Sequence, residues 1–304
     1  MIAVLGLSAA LDVTYLVDAL RPGAIHRPHR VLALPGGKAL NVVRAAHALG
    51  TTAQVVVPTG GFTGARVRDA LAAEGVDLPA LDAGGETRHC VTVFPDDGAA
   101  PTELYETAAD VPDATWAAVR RRVDAIGEGW LAVSGSVPAA RIAGLAETLA
   151  DAARRGVRIA LDTHGRALAD LLSAVRPALV KVNRAEAEEL LGPGGAHDLA
   201  VRLRARAEVA VVTDGPDGAT AADGDDLWHA AAPPAGRFAV GSGDSFLAGL
   251  LVGLDAGTTL PEALRLATAA AAANTLAPGA ALFSPEDARR IARTVAVSDP
   301  RSSS

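Results

Sequence analysis

At about 150 residues per domain, 304 residues allow two domains, or one large α/β domain with an elaboration. With 50% hydrophobic and 21% charged residues the composition is globular and not disordered, and no apolar stretch reaches the ~18 uncharged residues of a membrane span. A net charge of −7 gives no basic field for nucleic acid, and a lone cysteine, Cys90, excludes an internal disulfide or a multi-cysteine metal centre, so the expected compartment is the cytoplasm.

The chain opens on an apolar run, 2–7, with no basic leader, which reads as a first strand and not as a signal peptide. Asp12, just past it, suits a turn cap or a hydrogen bond to sugar hydroxyls. Residues 10–34 look extended and carry no helical period. Next comes PGGKALN (35–41), opening a helix that runs to Leu49. Paired glycines such as Gly36 and Gly37 let backbone N–H groups approach a ligand, and the helix dipole favours an anion. Lys38 and Asn41 share one face of the first turn. A plain turn with an exposed lysine is the alternative, and the spacing is not that of a Walker A loop.

Strand-length apolar runs recur at 53–57, 131–135, 158–162, 179–182 and 209–213. Helical periodicity fills 62–74, 139–155, 165–175 and 184–192 between them. That alternation predicts a mostly parallel sheet covered on both faces. Residues 86–106 interrupt it: 89–94 and 102–106 flank a turn-rich stretch and predict a hairpin. Together with 10–34 they form a small separate sheet over one edge of the main domain. Arg88 begins this piece; facing inward it suits bidentate phosphate binding, facing outward it is an ordinary edge residue. Ser134 and Ser136 follow a strand end, where ligand sites of open α/β sheets collect.

In LVKVNRAEAEELLG (179–192) a strand gives way to a helix at Asn183. Asn183 and Glu186 can reach the water shell of Mg²⁺ while Lys181 meets phosphate oxygens, or the pair is simply a capping box. Thr213, Asp214, Gly215 and Gly218 end another strand; they could lie along a nucleotide or form a plain hairpin turn. VGSGDSFLAGLLVGL (240–254) is the most informative stretch. Gly241, Ser242 and Gly243 precede a small-residue helix and can gather free N–H donors into an anion hole. Asp244 in the first turn could accept a proton from an attacking hydroxyl, or could only cap the helix. Phe246 stands where a dinucleotide fingerprint needs its third glycine.

After Gly243 only helices are expected, at 243–256, 260–277 and 284–296, with 298–304 a disordered tail. Lysine occurs only at 38 and 181, and asparagine only at 41, 183 and 274, so two of these rare pairs cluster within the motifs above. Asn274 joins the nucleotide-side candidates. His26 and His29 sit between prolines without an acidic neighbour in sequence and read as loop residues. Arg120, Arg121 and Arg122 read as a solvated helix face, and Cys90 as a packed small hydrophobe.

These motifs, in this order and over nearly the whole chain, resemble the PfkB family of carbohydrate kinases on the ribokinase fold. GGKALN resembles that family's Gly-Gly-Lys-Gly-x-Asn segment, and GSGDSF its Gly-Ala-Gly-Asp-[Ser/Thr]-Phe signature. The resemblance implies a three-layer α/β/α kinase domain over 1–297 with a β lid from 10–34 and 86–106. It implies Asp244 as base and 241–243 as anion hole, with Asp12, Gly37 and Asn41 at the sugar. Lys181, Asn183 and Glu186 become the triphosphate and Mg²⁺ segment, and Thr213 to Gly218 the ATP strand. GGFTG (60–64), Thr87-Arg88, 102–106 and SGSVP (134–138) resemble the 1-phosphofructokinase and tagatose-6-phosphate kinase branch, where Lys38, Arg88 and Ser136 would meet the sugar's own phosphate. Ala39, LSAALD, Val182 and TDGPDG depart from the usual pattern, the first two near the sugar.

The expected activity is therefore ATP- and Mg²⁺-dependent phosphorylation of a ketohexose monophosphate, with a monovalent cation as a further candidate cofactor. The alternatives are a ribokinase-like kinase of an unphosphorylated sugar or nucleoside, and a non-catalytic sugar- or nucleotide-binding regulator. No nucleic acid or membrane partner is expected, and the lid of many relatives forms a homodimer clasp.

Overall fold

The computed structural model describes residues 1–303. Its strands are β1 (Ile2–Leu5), β2 (Ala10–Val17), β3 (Arg30–Gly36), β4 (Ala53–Val56), β5 (Arg88–Pro95), β6 (Thr102–Tyr105) and β7 (Trp130–Ser134). They continue as β8 (Arg158–Asp162), β9 (Leu179–Asn183), β10 (Val209–Thr213), β11 (Ala219–Asp223), β12 (Asp226–Ala230) and β13 (Val297–Ser298). The helices are α1 (Lys38–Ala48), α2 (Gly61–Ala73), α3 (Asp113–Asp124), α4 (Ile142–Arg154) and α5 (Gly165–Ala174). Beyond them lie α6 (Arg184–Leu191), α7 (Ala196–Arg204), α8 (Ser242–Asp255), α9 (Leu260–Asn274) and α10 (Pro285–Ala292).

One nine-stranded sheet has the order β13-β12-β11-β10-β9-β8-β7-β1-β4. Every pairing from β10 to β4 is parallel, and those from β10 to β13 are antiparallel. The parallel strands are the continuous apolar runs of the sequence, because each must bury side chains on both faces. In β1, Ile2 and Val4 join the core under α1, α8 and α9, while Ala3 and Leu5 join the core under α3, α4, α5 and α7. The helices thus form two outer layers.

A separate four-stranded sheet, β3-β2-β5-β6, is mixed: β2 pairs antiparallel with β3 and parallel with β5, and β5 and β6 form the expected hairpin. Ala10–Arg88 and Asp12–Cys90 are register partners, so the two extended segments of the sequence meet through β2 and β5.

Some elements differ from expectation. The run to 298 is not helical throughout: Val297–Ser298 adds to the sheet, with Ser298 opposite His229. Nor is the stretch from 298 a loose tail over its described residues, because Arg301 pairs with Asp299 and donates to the Asp225 carbonyl. Ser304 lies outside the described residues. Among the described residues no helix is long and apolar enough to cross a membrane.

Candidate active site

The C-terminal ends of β7, β8, β9 and β10 carry Ser134, Asp162, Asn183 and Thr213 on one rim of the sheet. Ligand crevices of open α/β sheets form at that rim. The first turns of α1 and α8 meet there: the Asn41 Nδ2 donates to Asp244 Oδ2 at 2.9 Å. The cap of helix α8 is Gly241, which has no side chain, and the hydrogen bond to the Asp244 carboxylate comes from Asn41 and not from the backbone of the helix start. Burial, with Asp162 nearby, pushes its carboxyl up to about 7, against the pull of Lys38 and Asn41. A buried carboxylate titrating there can take a proton near neutral pH.

Asn41 Oδ1 is buried with no hydrogen-bond partner among the described residues, an acceptor that a ligand hydroxyl would satisfy. Asp12 lies against Gly36, where a Cβ would fall 2.0 Å from its Cγ, so glycine is needed for this approach. Burial pushes Asp12 up to about 6, opposed by hydrogen bonds from Asn41 and the Gly37 N–H and by Arg44 and Arg88. Asp12, Gly37, Asn41 and Asp244 therefore form one continuous polar wall.

Behind it is a charge cluster in which Asp162 has a role the sequence reading did not give it. Asp162 is fully buried, at 0% exposure, and its Oδ1 lies 3.4 Å from Lys38 Nζ and 3.5 Å from Lys181 Nζ. Both lysines of the chain converge on this one carboxylate. Burial opposes its charge, but Lys181 and Lys38 more than offset that and hold the Asp162 carboxyl below the usual range. Lys38 also lies 3.7 Å from Glu186 Oε1, and Asp162 raises its pKa. The ammonium of Lys38 thus lies between Asp162 and Glu186, on the acid side of the cleft. Lys181 faces the glycine loop: a Cβ on Gly243 would come within 3.1 Å of its Nζ.

The loop before α8 enters the helix through Gly241, whose φ of 82° is left-handed. The Ser242 N–H bonds the Ala239 carbonyl, so Ser242 does not offer its N–H to an anion. The N–H groups of Gly243 and Asp244 have no protein acceptor among the described residues, and with Lys181 they make the anion hole. Asn274 is corrected more fully. It is 0% exposed, and its amide is used by the protein: Nδ2 donates to Val240 O at 2.8 Å and Oδ1 accepts from Ala281 N at 2.7 Å. Its amide is spent on holding the loop before α8.

On the other side of Lys181, Asn183 and Glu186 do form a capping box at α6. The Glu186 Oε2 accepts from Asn183 N at 2.9 Å while Oε1 faces Lys38, so cap and cleft each take one oxygen. Asn183 Oδ1 is taken by the Glu186 N–H. Thr213 donates to Val182 O, and Asp214, Gly215 and Gly218 turn tightly into β11, with Asp214 N donating to Gly218 O at 2.8 Å. Gly218 has φ 90°, and a Cβ there would strike Ala230 O at 2.1 Å. Asp214 is neutralised by Arg184 at 3.3 Å.

Arg88 begins β5 and donates from Nε to Ser8 Oγ at 2.9 Å and from NH1 to Glu106 O at 2.8 Å. It lines a cleft with Ser8, Glu86, Thr87 and Asp110. Ser136 is exposed just after Gly135, which lies against the Lys38 side chain. His26 and His29 diverge, His26 bonding Arg21 O and His29 bonding Asp96, whose other oxygen pairs with Arg237. Cys90 is buried, and burial pushes its thiol up to about 11.

The carboxylates of Asp162 and Glu186 suit a hard divalent cation, and the free N–H groups with Lys181 suit phosphate oxygens, so the residues present fit a metal-bound nucleoside triphosphate. The chain is 32% identical over 309 residues to the "ATP-dependent 6-phosphofructokinase isozyme 2" of Mycobacterium tuberculosis, covering 95% of this chain and 88% of that one. It is 33% identical over 317 residues to the 1-phosphofructokinase of Rhodobacter capsulatus, covering 97% of each. Its fold matches phosphofructokinase-2 from Escherichia coli with a TM-score of 0.89 and 28% identity, over 96% of this chain and 98% of that one. That enzyme has been solved with potassium, with substrates and products, and as a tetrameric inhibited form. Residues 1–287 match the description "pfkB family carbohydrate kinase", and with the phosphate-ready loop, the buried carboxylate and the β lid in place, the chain belongs to that family.

Proposed function

We propose that this kinase transfers the γ-phosphoryl of ATP to a hydroxyl of a ketohexose monophosphate, within one catalytic unit whose lid is the β3-β2-β5-β6 sheet. Asp12 and Asn41 orient the sugar hydroxyls. As the attacking oxygen bonds to the γ-phosphorus, its proton passes to an Asp244 carboxylate oxygen and the bond to the leaving β-phosphate oxygen breaks, releasing ADP. The N–H groups of Gly243 and Asp244 and the Lys181 ammonium neutralise the charge in transit, and positioning of this kind supplies most of the catalysis in phosphoryl transfer. Mg²⁺, when bound, would neutralise triphosphate oxygens, with Glu186 and Asp162 the residues to hold it, through water. The Glu186 role follows the sequence reading; Asn183 then acts as the cap that aims Glu186.

The observation that supports this reading best is the Asn41–Asp244 bond, which joins the buried carboxylate to the side chain whose Oδ1 has no partner among the described residues. Arg88 in the cleft favours a phosphorylated sugar over a neutral one. The named relatives divide between 6- and 1-phosphofructokinases, so fructose 6-phosphate and fructose 1-phosphate lead the candidates. The potassium of the Escherichia coli structure makes K⁺ the monovalent cation to include.

ADP release should be measured with both fructose phosphates, tagatose 6-phosphate, ribose and adenosine, with and without K⁺. A ketohexose phosphate should have the highest kcat/KM by at least ~10². Arg88→Ala should raise its KM ~30-fold or more, because truncating one partner of a desolvated charge pair costs ~2–5 kcal/mol. Preference for ribose or adenosine would move the chain to the ribokinase-like reading. No turnover of any would leave a binding regulator.

A further inference from the structure

We infer that Arg44 and Asn274 are positioning residues that lock the sugar-side loop to the phosphoryl-transfer loop through a single shared peptide, Ala280–Ala281. The carbonyl of Ala280 and the N–H of Ala281 belong to one peptide plane, and each is held by a different buried side chain. Arg44 NH1 donates to Ala280 O at 2.8 Å and to Pro35 O at 3.3 Å, just ahead of the Gly36-Gly37 turn. Its guanidinium cannot swing away, because Nε and NH2 form a two-point pair with Glu74 at 2.6 and 2.9 Å. From the opposite side, Asn274 Oδ1 accepts from Ala281 N at 2.7 Å. The amide end of Asn274 donates to Val240 O at 2.8 Å and Ser242 Oγ at 3.2 Å, the two residues that flank Gly241.

Independent backbone evidence marks the same spot. Ala281 has φ 56° and is the sole non-glycine residue with positive φ among the described residues. Such a conformation persists only where its surroundings over-determine it, and it collects at functional sites. Gly241 presses on the same turn: a Cβ there would fall 2.4 Å from Ala280 Cβ. Arg44 is 3% exposed and Asn274 is fully buried, and the guanidinium and amide are both spent on protein partners. Their shared effect is on geometry. The peptide ties the residue before Gly36, against which Asp12 rests, to the loop whose N–H groups receive the phosphoryl group. A buried network with its hydrogen bonds made holds one arrangement, and an error of about 1 Å in such a site can cost ~10² in rate.

This inference rests on assigning Asp244 and the 241–243 loop to phosphoryl transfer. The test is a double-mutant cycle on the full chain with Asn274→Ala and Arg44→Lys. Rates are counted per folded molecule, and nucleotide binding is measured separately by calorimetry. Each single variant should lower kcat ~10- to 100-fold while the ATP dissociation constant stays within ~3-fold. The double variant should be no more than ~3-fold below the worse single one, because either change frees the same peptide. Multiplicative losses, or normal kcat in the folded singles, would overturn the inference. Should Asn274→Ala not fold, Arg44→Lys alone tests the clamp: it keeps a positive charge beside Glu74 but loses the guanidinium fork that reaches Ala280 O and Pro35 O. It should lower kcat at least ~5-fold with the ATP dissociation constant unchanged, and wild-type kcat in the folded variant would overturn the clamp. Asp244→Asn is the control: full turnover in it overturns the transfer-site assignment and the clamp with it. Its inactivity beside fully active clamp variants overturns the clamp alone.

Discussion

Asp244 combines three physical facts: burial at a helix start, a hydrogen bond from Asn41 and not from the helix backbone, and a neighbouring carboxylate at Asp162. Burial and that negative charge favour its protonated form up to about pH 7. A protonated acid cannot accept the hydroxyl proton, so kcat/KM, which reports the free enzyme, should fall about tenfold per pH unit below ~7 and level off above it. The same shift has a stability consequence of definite sign. A carboxyl raised from 3.8 to about 7 stabilises the fold fully below its unfolded value, and that contribution is lost as pH rises through the folded one. In the substrate-free enzyme Asp244→Asn should therefore raise the unfolding midpoint more at pH 8 than at pH 4, and an equal change at both would contradict the buried-acid account. Asp244 stood out in the sequence because glycines announce it. Asp162 did not, since it closes an ordinary apolar strand, and only the convergence of Lys38 and Lys181 reveals it. Asn274 misled for the opposite reason: its rarity marks a demanding position, but sequence does not tell whether an amide faces a ligand or a carbonyl.

Among elements, the parallel strands were legible because a strand buried on both faces has no polar alternation to blur it. Helix α7 and strand β12 went unread, being short and mixed in polarity, and β13 forms only because β12 offers it an edge. At α6 the two readings of Asn183 and Glu186 turn out to be compatible, because a carboxylate has two oxygens. That can be separated experimentally. Gln also serves in a capping box, so Glu186→Gln should leave the unfolding midpoint within ~2 °C while raising the Mg²⁺ concentration for half-maximal rate several-fold. Unchanged Mg²⁺ dependence would reduce Glu186 to a cap. Helix α8 needs Gly249 and Gly253 for its contact with α9, where a Cβ would lie 2.8 Å from the Ala267 and Ala263 Cα atoms respectively. This close packing fixes the helix that presents Asp244.

Over the whole molecule, a net charge of −7 repels a sugar phosphate and ATP alike, so affinity depends on the few cations turned into the cleft. The lid is the least self-sufficient part. Strand β6 is exposed throughout and forms a free edge, with Leu104 at 63% and Tyr105 at 48% exposure. A second copy of the chain packed on this sheet would cover that surface. Sedimentation at micromolar concentration should show dimers, and Leu104→Asp should shift them to monomers; monomers in the unaltered chain would remove the clasp.

The central claim is that Asp244 takes the proton of the attacking hydroxyl. It is tested most directly by single-turnover formation of ADP with the preferred ketohexose phosphate, comparing the unaltered chain with Asp244→Asn under saturating ATP. The account predicts a rate at least ~10² lower in the variant, with the ATP dissociation constant within a few-fold, since general base catalysis contributes ~10²–10⁴. A folded, ATP-binding Asp244→Asn variant that turns over at the unaltered rate would contradict it.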